Sequence, residues 1–221
     1  MLRVEFPVNV RSSQASFEIQ YGHVFRNTHE NTSWDMAQFE VVAHKWADIS
    51  QPNYGVGIIN DCKYGHKIKG NVISLNLLRS PKTPDPESDM HVHEFNYALY
   101  PHKGDMVQSD LIRQAYQFNI PLEGIEAKGS ASVIGESSFV QNNGKNVIIE
   151  VIKKAEKHEG VLIRAYESKG YDGNVDFKFG RSITNATLVN LMERELEVLE
   201  VKDNSISLNF KPFEIHTFVV R

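Results

Sequence analysis

The stretch YGVGIINDCKYGHKIKGNVISLNLLRSP, residues 54–81, decides how the rest of the chain is read. Residues 56–59 are a short apolar run, and residues 60–66, NDCKYGH, gather polar side chains around a glycine. From residue 72 the pattern alternates. Val72, Ser74, Asn76 and Leu78 fall on one face, and Ile73, Leu75 and Leu77 on the other. Successive side chains of a strand point to opposite faces, so the wholly apolar set faces a core. Arg79 follows at the strand end, and Pro81 stops the ladder. The reading is a hairpin, two strands joined by a polar turn. It presents Asn60, Asp61, Lys63, Tyr64 and Arg79 along one rim, and strand-end loops are where binding groups are usually carried.

Working upstream, Leu2, Val4, Phe6, Val8 and Val10 alternate with Arg3, Glu5, Pro7 and Asn9. That is a period-two strand, and the outward Pro7 suits an edge. The strand starts directly after Met1, which suggests a piece of something larger. Residues 16–22, SFEIQYG, continue the period until Gly22 breaks it. Residues 22–38 show neither helical nor strand period and read as a loop carrying His23, His29, Trp34 and Asp35. Asn31-Thr32-Ser33 in that loop matches a glycosylation sequon, which has meaning only in a secreted protein. Residues 39–50, FEVVAHKWADIS, read as one further strand beside the hairpin, with a turn over residues 48–53.

Downstream, residues 80–90 hold three of the eight prolines and read as a loop. Residues 90–101, MHVHEFNYALYP, read as a strand with a bulge near Tyr97, and residues 101–105 as a turn. Residues 106–116 are the only helical stretch, with Val107, Leu111, Ile112, Ala115 and Tyr116 as its apolar stripe. Small and polar residues between Gly124 and Gly135 mark a junction. Beyond it, Gln141-Asn142-Asn143-Gly144 predicts a hairpin turn between residues 139–140 and 147–152. Residues 189–201, VNLMERELEVLEV, have helical propensity but read as strand–turn–strand among regularly spaced strands. Ile206, Leu208 and Phe210, then Ile215, Phe218 and Val220, close the chain as two alternating strands. The fold class is therefore all-β: an antiparallel β-sandwich over residues 1–125, then a small C-terminal β-sandwich over residues 135–221.

The bulk numbers exclude some classes. The 221 residues are 41% hydrophobic and 24% charged, with net charge −4 and no basic block, which argues against a nucleic-acid surface. No apolar run approaches the roughly 20 residues that cross a bilayer, and residues 2–10 lack a signal peptide's apolar core. Cys62 is the single cysteine, so no intrachain disulfide forms, in keeping with a reducing cytosol. Cys62 as a nucleophile lacks any placeable His partner and reads better as a small residue at a strand end.

Three constellations carry candidate chemistry. His91 and His93, with Asp89 and His102, could ligate a metal from one strand face; hydrogen bonding to neighbouring strands is the commoner use of such residues. Asp61 with Asp48 or Glu94 could form a glycosidase acid pair, although a solvated turn aspartate is commoner. Trp34, Trp46, Tyr64 and Tyr97 could stack on sugars; for Trp46, which ends an alternating strand, packing is the better reading. No phosphate loop, serine-nucleophile elbow or CxxC pair is present.

Longer blocks go further. FEIQYGHVFRNTHENTSWDMAQFEV, VAHKWADIS, GIINDCKYG, ISLNLLRSPKTPDP, HEFNYALYPHKG and VLIRAYESKG resemble the C-terminal β region of cytosolic-type α-mannosidases of glycoside hydrolase family 38. The resemblance runs from Leu2 to the closing FKPFEIHTFVV. It implies that residues 1–125 are a portion of a large galactose-mutarotase-like supersandwich. It also implies a retaining enzyme whose nucleophile and catalytic zinc or cobalt lie in an N-terminal catalytic domain outside this sequence. No catalytic residue, metal ligand or cofactor is then expected in this chain. The expected partners are that catalytic domain and a mannose-containing oligosaccharide, with no nucleic acid and no membrane. The expected location is cytoplasmic, and a homo-oligomeric parent is admitted. In related members an Arg of the corresponding hairpin approaches the sugar pocket. Arg79 is its counterpart by resemblance, with Asp61 to orient it and Asn60, Lys63 and Tyr64 on the same rim. The rival reading is a stand-alone carbohydrate-binding or interaction module using Trp34, Tyr64 and Arg79.

Overall fold

A computed structural model describes residues 1–126 and 135–221. Every strand pairing in it is antiparallel, as the alternating pattern predicts. The chain divides into two compact units, Met1–Gly124 and Ile125–Arg221. Most of the sequence-predicted junction, residues 127–134, lies outside the described residues.

In chain order the first unit runs β1 (Leu2–Pro7), β2 (Gln14–Ile19), β3 (Gly22–Asn27), α1 (Ser33–Ala37), β4 (Val41–Val42), β5 (Trp46–Gln51), β6 (Tyr54–Asn60), β7 (Gly65–Lys69), β8 (Val72–Leu78), β9 (Tyr97–Lys103) and α2 (Leu111–Asn119). One sheet has the order β1-β8-β7-β4 and the other β3-β2-β5-β6-β9. Their facing sides bury one core, which includes Phe17, Ile49, Ile58, Ile73 and Leu75. β1 is an edge strand with Pro7 exposed, because a residue without an N–H is tolerated there. The five-stranded sheet is covered on its second face too. Leu111 of α2 packs so close to β6 that a Cβ on Gly57 would lie 2.5 Å from it. This is why β5 and β6 bury residues of both parities, Trp46 and Asp48 as well as Ala47 and Ile49.

Several sequence expectations are corrected. β6 and β8 are not hairpin partners, because they lie in different sheets. The hairpin is β7–β8, closed at Gly70 with φ +57°, a left-handed value that glycine adopts freely. Residues 39–50 form two short strands rather than one. β4 pairs with β7 and β5 with β6, so the chain changes sheet between them. Asp48 sits inside β5 instead of a turn. Residues 22–38 contain β3 and the one-turn helix α1, capped by reciprocal bonds between Thr32 and Asp35. Residues 90–96 are not strand; β9 starts at Tyr97 and carries Pro101 and His102 inside it rather than in a turn. The helix is shifted to Leu111–Asn119 because residues 105–109 form a turn closed by the Asp105 carboxylate and carbonyl.

The second unit runs β10 (Val140–Asn142), β11 (Val147–Lys154), β12 (Val161–Glu167), β13 (Gly173–Phe179), β14 (Ala186–Val189), β15 (Glu195–Leu199), β16 (Ser205–Phe210) and β17 (Ile215–Val220). Sheets of order β10-β13-β16 and β11-β12-β17-β14-β15 bury a core that includes Phe177, Ile206, Phe210 and Phe218. The strand–turn–strand expected over residues 189–201 is present, with its first strand earlier, at Ala186–Val189, and its second at Glu195–Leu199. The Asn-Gly hairpin is not: β10 pairs with β13, while β11 lies in the other sheet. The Asn143 side chain accepts from the Asp176 N–H and donates to its carboxylate, so this turn is fixed by a strand 33 residues away.

Candidate functional site

The NDCKYG segment is where the chain passes between the two sheets of the first unit. Residues 43–45 cross from β4 to β5, residues 61–64 from β6 to β7, and residues 79–96 from β8 to β9. Asn60 is buried at the centre of the first two crossings. Its amide donates to the His44 carbonyl at 2.8 Å and its carbonyl accepts from the Lys63 N–H at 2.6 Å. Its main-chain carbonyl accepts from Asn119 of α2 at 3.0 Å. Asp61 joins the second crossing to the third. Its carboxylate takes the Asn96 N–H at 3.0 Å and the Asn96 amide at 2.9 Å. Partial burial pushes the Asp61 carboxyl up, but hydrogen bonds from Cys62 and Asn96 outweigh it and hold it below the usual carboxylate range.

Cys62 is exposed, but partial desolvation, and then the neighbouring Asp61 carboxylate, push its thiol up. That is the reverse of what a cysteine nucleophile requires. The Lys63 ammonium lies 4.6 Å from the centre of the Phe95 ring, a cation–π contact. Tyr64 stands edge-on to His44 at 5.5 Å and is exposed. Arg79 is exposed at the root of the third crossing. It forms no ion pair with Asp61, whose oxygens are taken by Asn96. Asn60, Asp61 and Lys63 are thus committed to holding crossings. The Tyr64 hydroxyl and the Arg79 guanidinium make no side-chain hydrogen bond among the described residues.

Other sequence candidates separate. His91 and His93 lie in the third crossing, off any strand, with ring centres 4.1 Å apart, and His93 Nε2 meets the Asp89 carbonyl at 2.9 Å. His102 is turned instead to Asp48, 2.8 Å from Nε2 to Oδ1, deep in the second face of the five-stranded sheet. Asp48 is therefore not an acid partner for Asp61. Trp46 is core, while Trp34, Tyr64 and Tyr97 are exposed.

The chain was compared with known families and proteins. Residues 1–87 match the model described as the glycosyl hydrolases family 38 C-terminal domain. Residues 146–218 match the family 38 C-terminal beta sandwich domain. Mouse "Alpha-mannosidase 2C1" is 42% identical over 99% of this chain, and the human protein of that name is 42% identical over 97%. The chain belongs to glycosyl hydrolase family 38.

What it holds of family 38 is C-terminal sequence, spanning only about a fifth of the length of those relatives: 22% of the mouse protein and 21% of the human one. "Alpha-mannosidase" of Saccharomyces cerevisiae is 37% identical over 98% of the chain. The fold matches the crystal structure of an alpha-mannosidase from Enterococcus faecalis V583. The TM-score is 0.81 at 19% identity, over 99% of this chain and 25% of that one. The divalent metal that the family resemblance implies finds no ligand set here: among the described residues no three His, Cys, Asp or Glu side chains converge to hold one.

Sequence reasoning missed the second face of the five-stranded sheet. There Glu18 is buried and paired with Lys45 at 2.8 Å, and the Lys45 ammonium lies 4.5 Å from the Tyr116 ring centre on α2. Burial pushes the Glu18 carboxyl up, with Lys45 working against it. The available signal was Glu18 beside Phe17 and Asp48 beside Ile49: charges inside strands whose other parity is core.

Proposed function

We propose that this chain is the non-catalytic C-terminal region of a cytoplasmic α-mannosidase, packing on the catalytic part of the same polypeptide and lining the rim of its sugar pocket. The observation that carries this is 42% identity, over nearly the whole chain, to proteins named alpha-mannosidase 2C1. The parent enzyme releases terminal α-mannosyl residues with retention, through a carboxylate nucleophile and a second carboxylic acid. Those groups, and the zinc or cobalt that would bind sugar hydroxyls, belong to the polypeptide outside this chain.

Within the chain, the rim is Arg79 and Tyr64, placed by Asn60, Asp61 and Lys63. Arg79 suits the role because its guanidinium is exposed and uncommitted, while the crossing beneath it is fixed by Asp61 and Asn96. A guanidinium offers fixed, paired donors to sugar hydroxyls. The test is hydrolysis of an aryl α-mannoside by the full-length enzyme and its Arg79→Ala variant. Loss of one charge-assisted contact in the transition state lowers kcat/KM about 10- to 100-fold, with the unfolding midpoint unchanged. Unchanged kinetics would remove Arg79 from the pocket. Mannose binding by this chain alone would favour the rival reading, a self-contained sugar-binding module.

A further inference from the structure

The core side of β3 carries a charge that nothing in the first unit answers. β2 pairs Ala15 with Arg26 and Phe17 with Val24. Ala15 and Phe17 belong to the core between the two sheets, and Val24 packs on it. Residues two apart on a strand share a face, so Arg26 leaves β3 on that same side. β3 is the last strand of its sheet, which puts Arg26 at the margin of the sandwich. The guanidinium lies over the Phe17 ring, 5.7 Å from its centre, and Nε is buried without a partner. Arg26 is half-buried, yet among the described residues it has no hydrogen bond and no ion pair. A charge withdrawn from water is ordinarily paired.

There is space beside it for a partner. β4 pairs only with Gly65 and His66, so the rest of β7 has no neighbour on that side. A cleft opens there, lined by Arg26 and Asn27 of β3, Ile68 of β7, and His29 and Asp35. The Gly70 N–H donates to the Thr28 carbonyl at 2.7 Å, which joins the ends of β3 and β7. The carboxylates on the lining are already taken. Asp35 accepts from the Asn27 amide at 2.9 Å and the Thr32 hydroxyl at 2.7 Å, and Glu30 is paired with Lys69. Arg26, Lys67 and Lys69 against Glu30 and Asp35 leave the lining one net positive charge, with His29 counted neutral. The enclosed part of the cleft is about 20 Å³, room for one or two oxygen-sized atoms, and its mouth is open to solvent.

We propose that this cleft binds the carboxylate group of a small organic acid, with Arg26 as the anchor. A guanidinium offers two parallel donors that match the two oxygens of a planar carboxylate. One net positive charge suits a monoanion, and the narrow enclosed space takes two oxygens more readily than the four of a phosphate. The Phe17 ring steadies the guanidinium, so less side-chain freedom is lost on binding. The body of the acid stays at the open mouth. This is a binding site apart from the sugar rim at Arg79 and Tyr64, and it stands whether or not that rim reading holds.

The test uses the full-length protein, phenylglyoxal as a guanidinium reagent and sodium acetate as the probe, at constant ionic strength. Mass spectrometry follows modification of Arg26, with the exposed Arg113 as internal standard. Acetate at about ten times its dissociation constant should slow modification of Arg26 about tenfold and leave Arg113 unchanged. No slowing of Arg26 up to about 0.1 M acetate, or equal slowing of both arginines, overturns the proposal. Protection of Arg26 by inorganic phosphate at lower concentration than by acetate overturns the choice of carboxylate. A second measurement is saturation-transfer NMR of acetate with Arg26→Met, which keeps an apolar stem over Phe17 and removes the fork. Acetate affinity should fall tenfold or more. Affinity equal to that of the parent protein would show that Arg26 is not the anchor.

Discussion

Glu167 in the second unit and Asp48 in the first are both fully buried strand carboxylates, held in opposite ways. Glu167 accepts from the N–H groups of Lys169, Gly170 and Phe213 and from the Asn146 amide, at 2.8–3.1 Å. Asp48 has His102 on one oxygen, and its other oxygen has no partner in hydrogen-bond geometry. The contrast extends beyond this pair. Among the described residues, the buried side-chain polar atoms without a partner belong to Arg26, Trp46, Asp48, His66 and His102, all in the first unit. A buried polar atom left unpaired costs about 1–3 kcal/mol. The second unit therefore uses its carboxylates as staples between turns, whereas the first carries polar groups under α2 and between its sheets that oppose its own stability.

The largest effect expected is at the staple. Glu167→Ala strands three backbone N–H groups and an amide, and should destabilise the second unit by roughly 3–5 kcal/mol. Both tryptophans, Trp34 and Trp46, lie in the first unit, so tryptophan fluorescence reports that unit alone. Denaturant titration should show the fluorescence transition unmoved, while exchange protection of β12 and β17 falls. A fluorescence transition that moves in step would mean the two units unfold as one, and the contrast between them would lose its meaning.

Acid sharpens the comparison from the other side. Burial pushes His66 down to about 4 from 6.5. The unfolded chain therefore takes up a proton between those values while the folded one does not. Stability of the first unit falls as pH drops from 6.5 to about 4, by about 3 kcal/mol in all. His66→Gln should flatten that limb of the fluorescence-monitored stability curve. The slope is the readout, since the substitution shifts the absolute stability as well. An unchanged slope would mean that His66 is not the group that titrates.

How much of this was legible in the sequence follows from what a strand pattern encodes. Residues 205–210 were readable because one face alone is covered, and in residues 72–78 the apolar parity of Ile73, Leu75 and Leu77 is the core one, although Ser74 of the other parity is buried as well. β5 and β6 are covered on both faces, and there parity is silent: Asp48 and His102 read as turn residues because nothing local announces α2 above them. The partners of a strand are not written in its period either. β6 and β8 looked like a hairpin, and β10 and β11 like another, because sequence neighbours pair more often than not. The cluster at residues 60–64 was noticed correctly as dense in polar side chains, but the reason for the density at Asn60 and Asp61 is the change of sheet, which needs side chains to satisfy backbone groups that leave their ladders.

Asp48→Asn tests the first unit's polar face directly. Burial pulls His102 down, but the hydrogen bond and charge of Asp48 outweigh it and leave His102 raised. A raised histidine contributes stability that is fully present below its unfolded pKa and is lost as pH rises through the folded one. The amide removes the charge-assisted bond, so the variant should be about 2 kcal/mol less stable at pH 6, with the gap to wild type closing at alkaline pH. A gap of constant size across pH would show that the Asp48–His102 contact carries no charge.

The smallest effect is at the crossing, where a carboxylate of the first unit is satisfied much as Glu167 is. Asp61 takes the N–H and the amide of Asn96, but it lies at the surface rather than in a core. Water can replace those donors, so Asp61→Ala should lower stability by only about 1 kcal/mol. The variant also relieves Cys62, since the Asp61 carboxylate is one of the causes that push its thiol up. Alkylation of Cys62 by iodoacetamide near pH 8 should therefore be faster in the variant, in native protein well below its unfolding transition. An unchanged rate would leave partial desolvation as the sole cause of the raised thiol. If Asp61→Ala instead destabilises as much as Glu167→Ala, the crossing is a buried staple in the working protein. Its surface would then be covered by something beyond this chain, and the difference between the two units would lie in their partners rather than in their own packing.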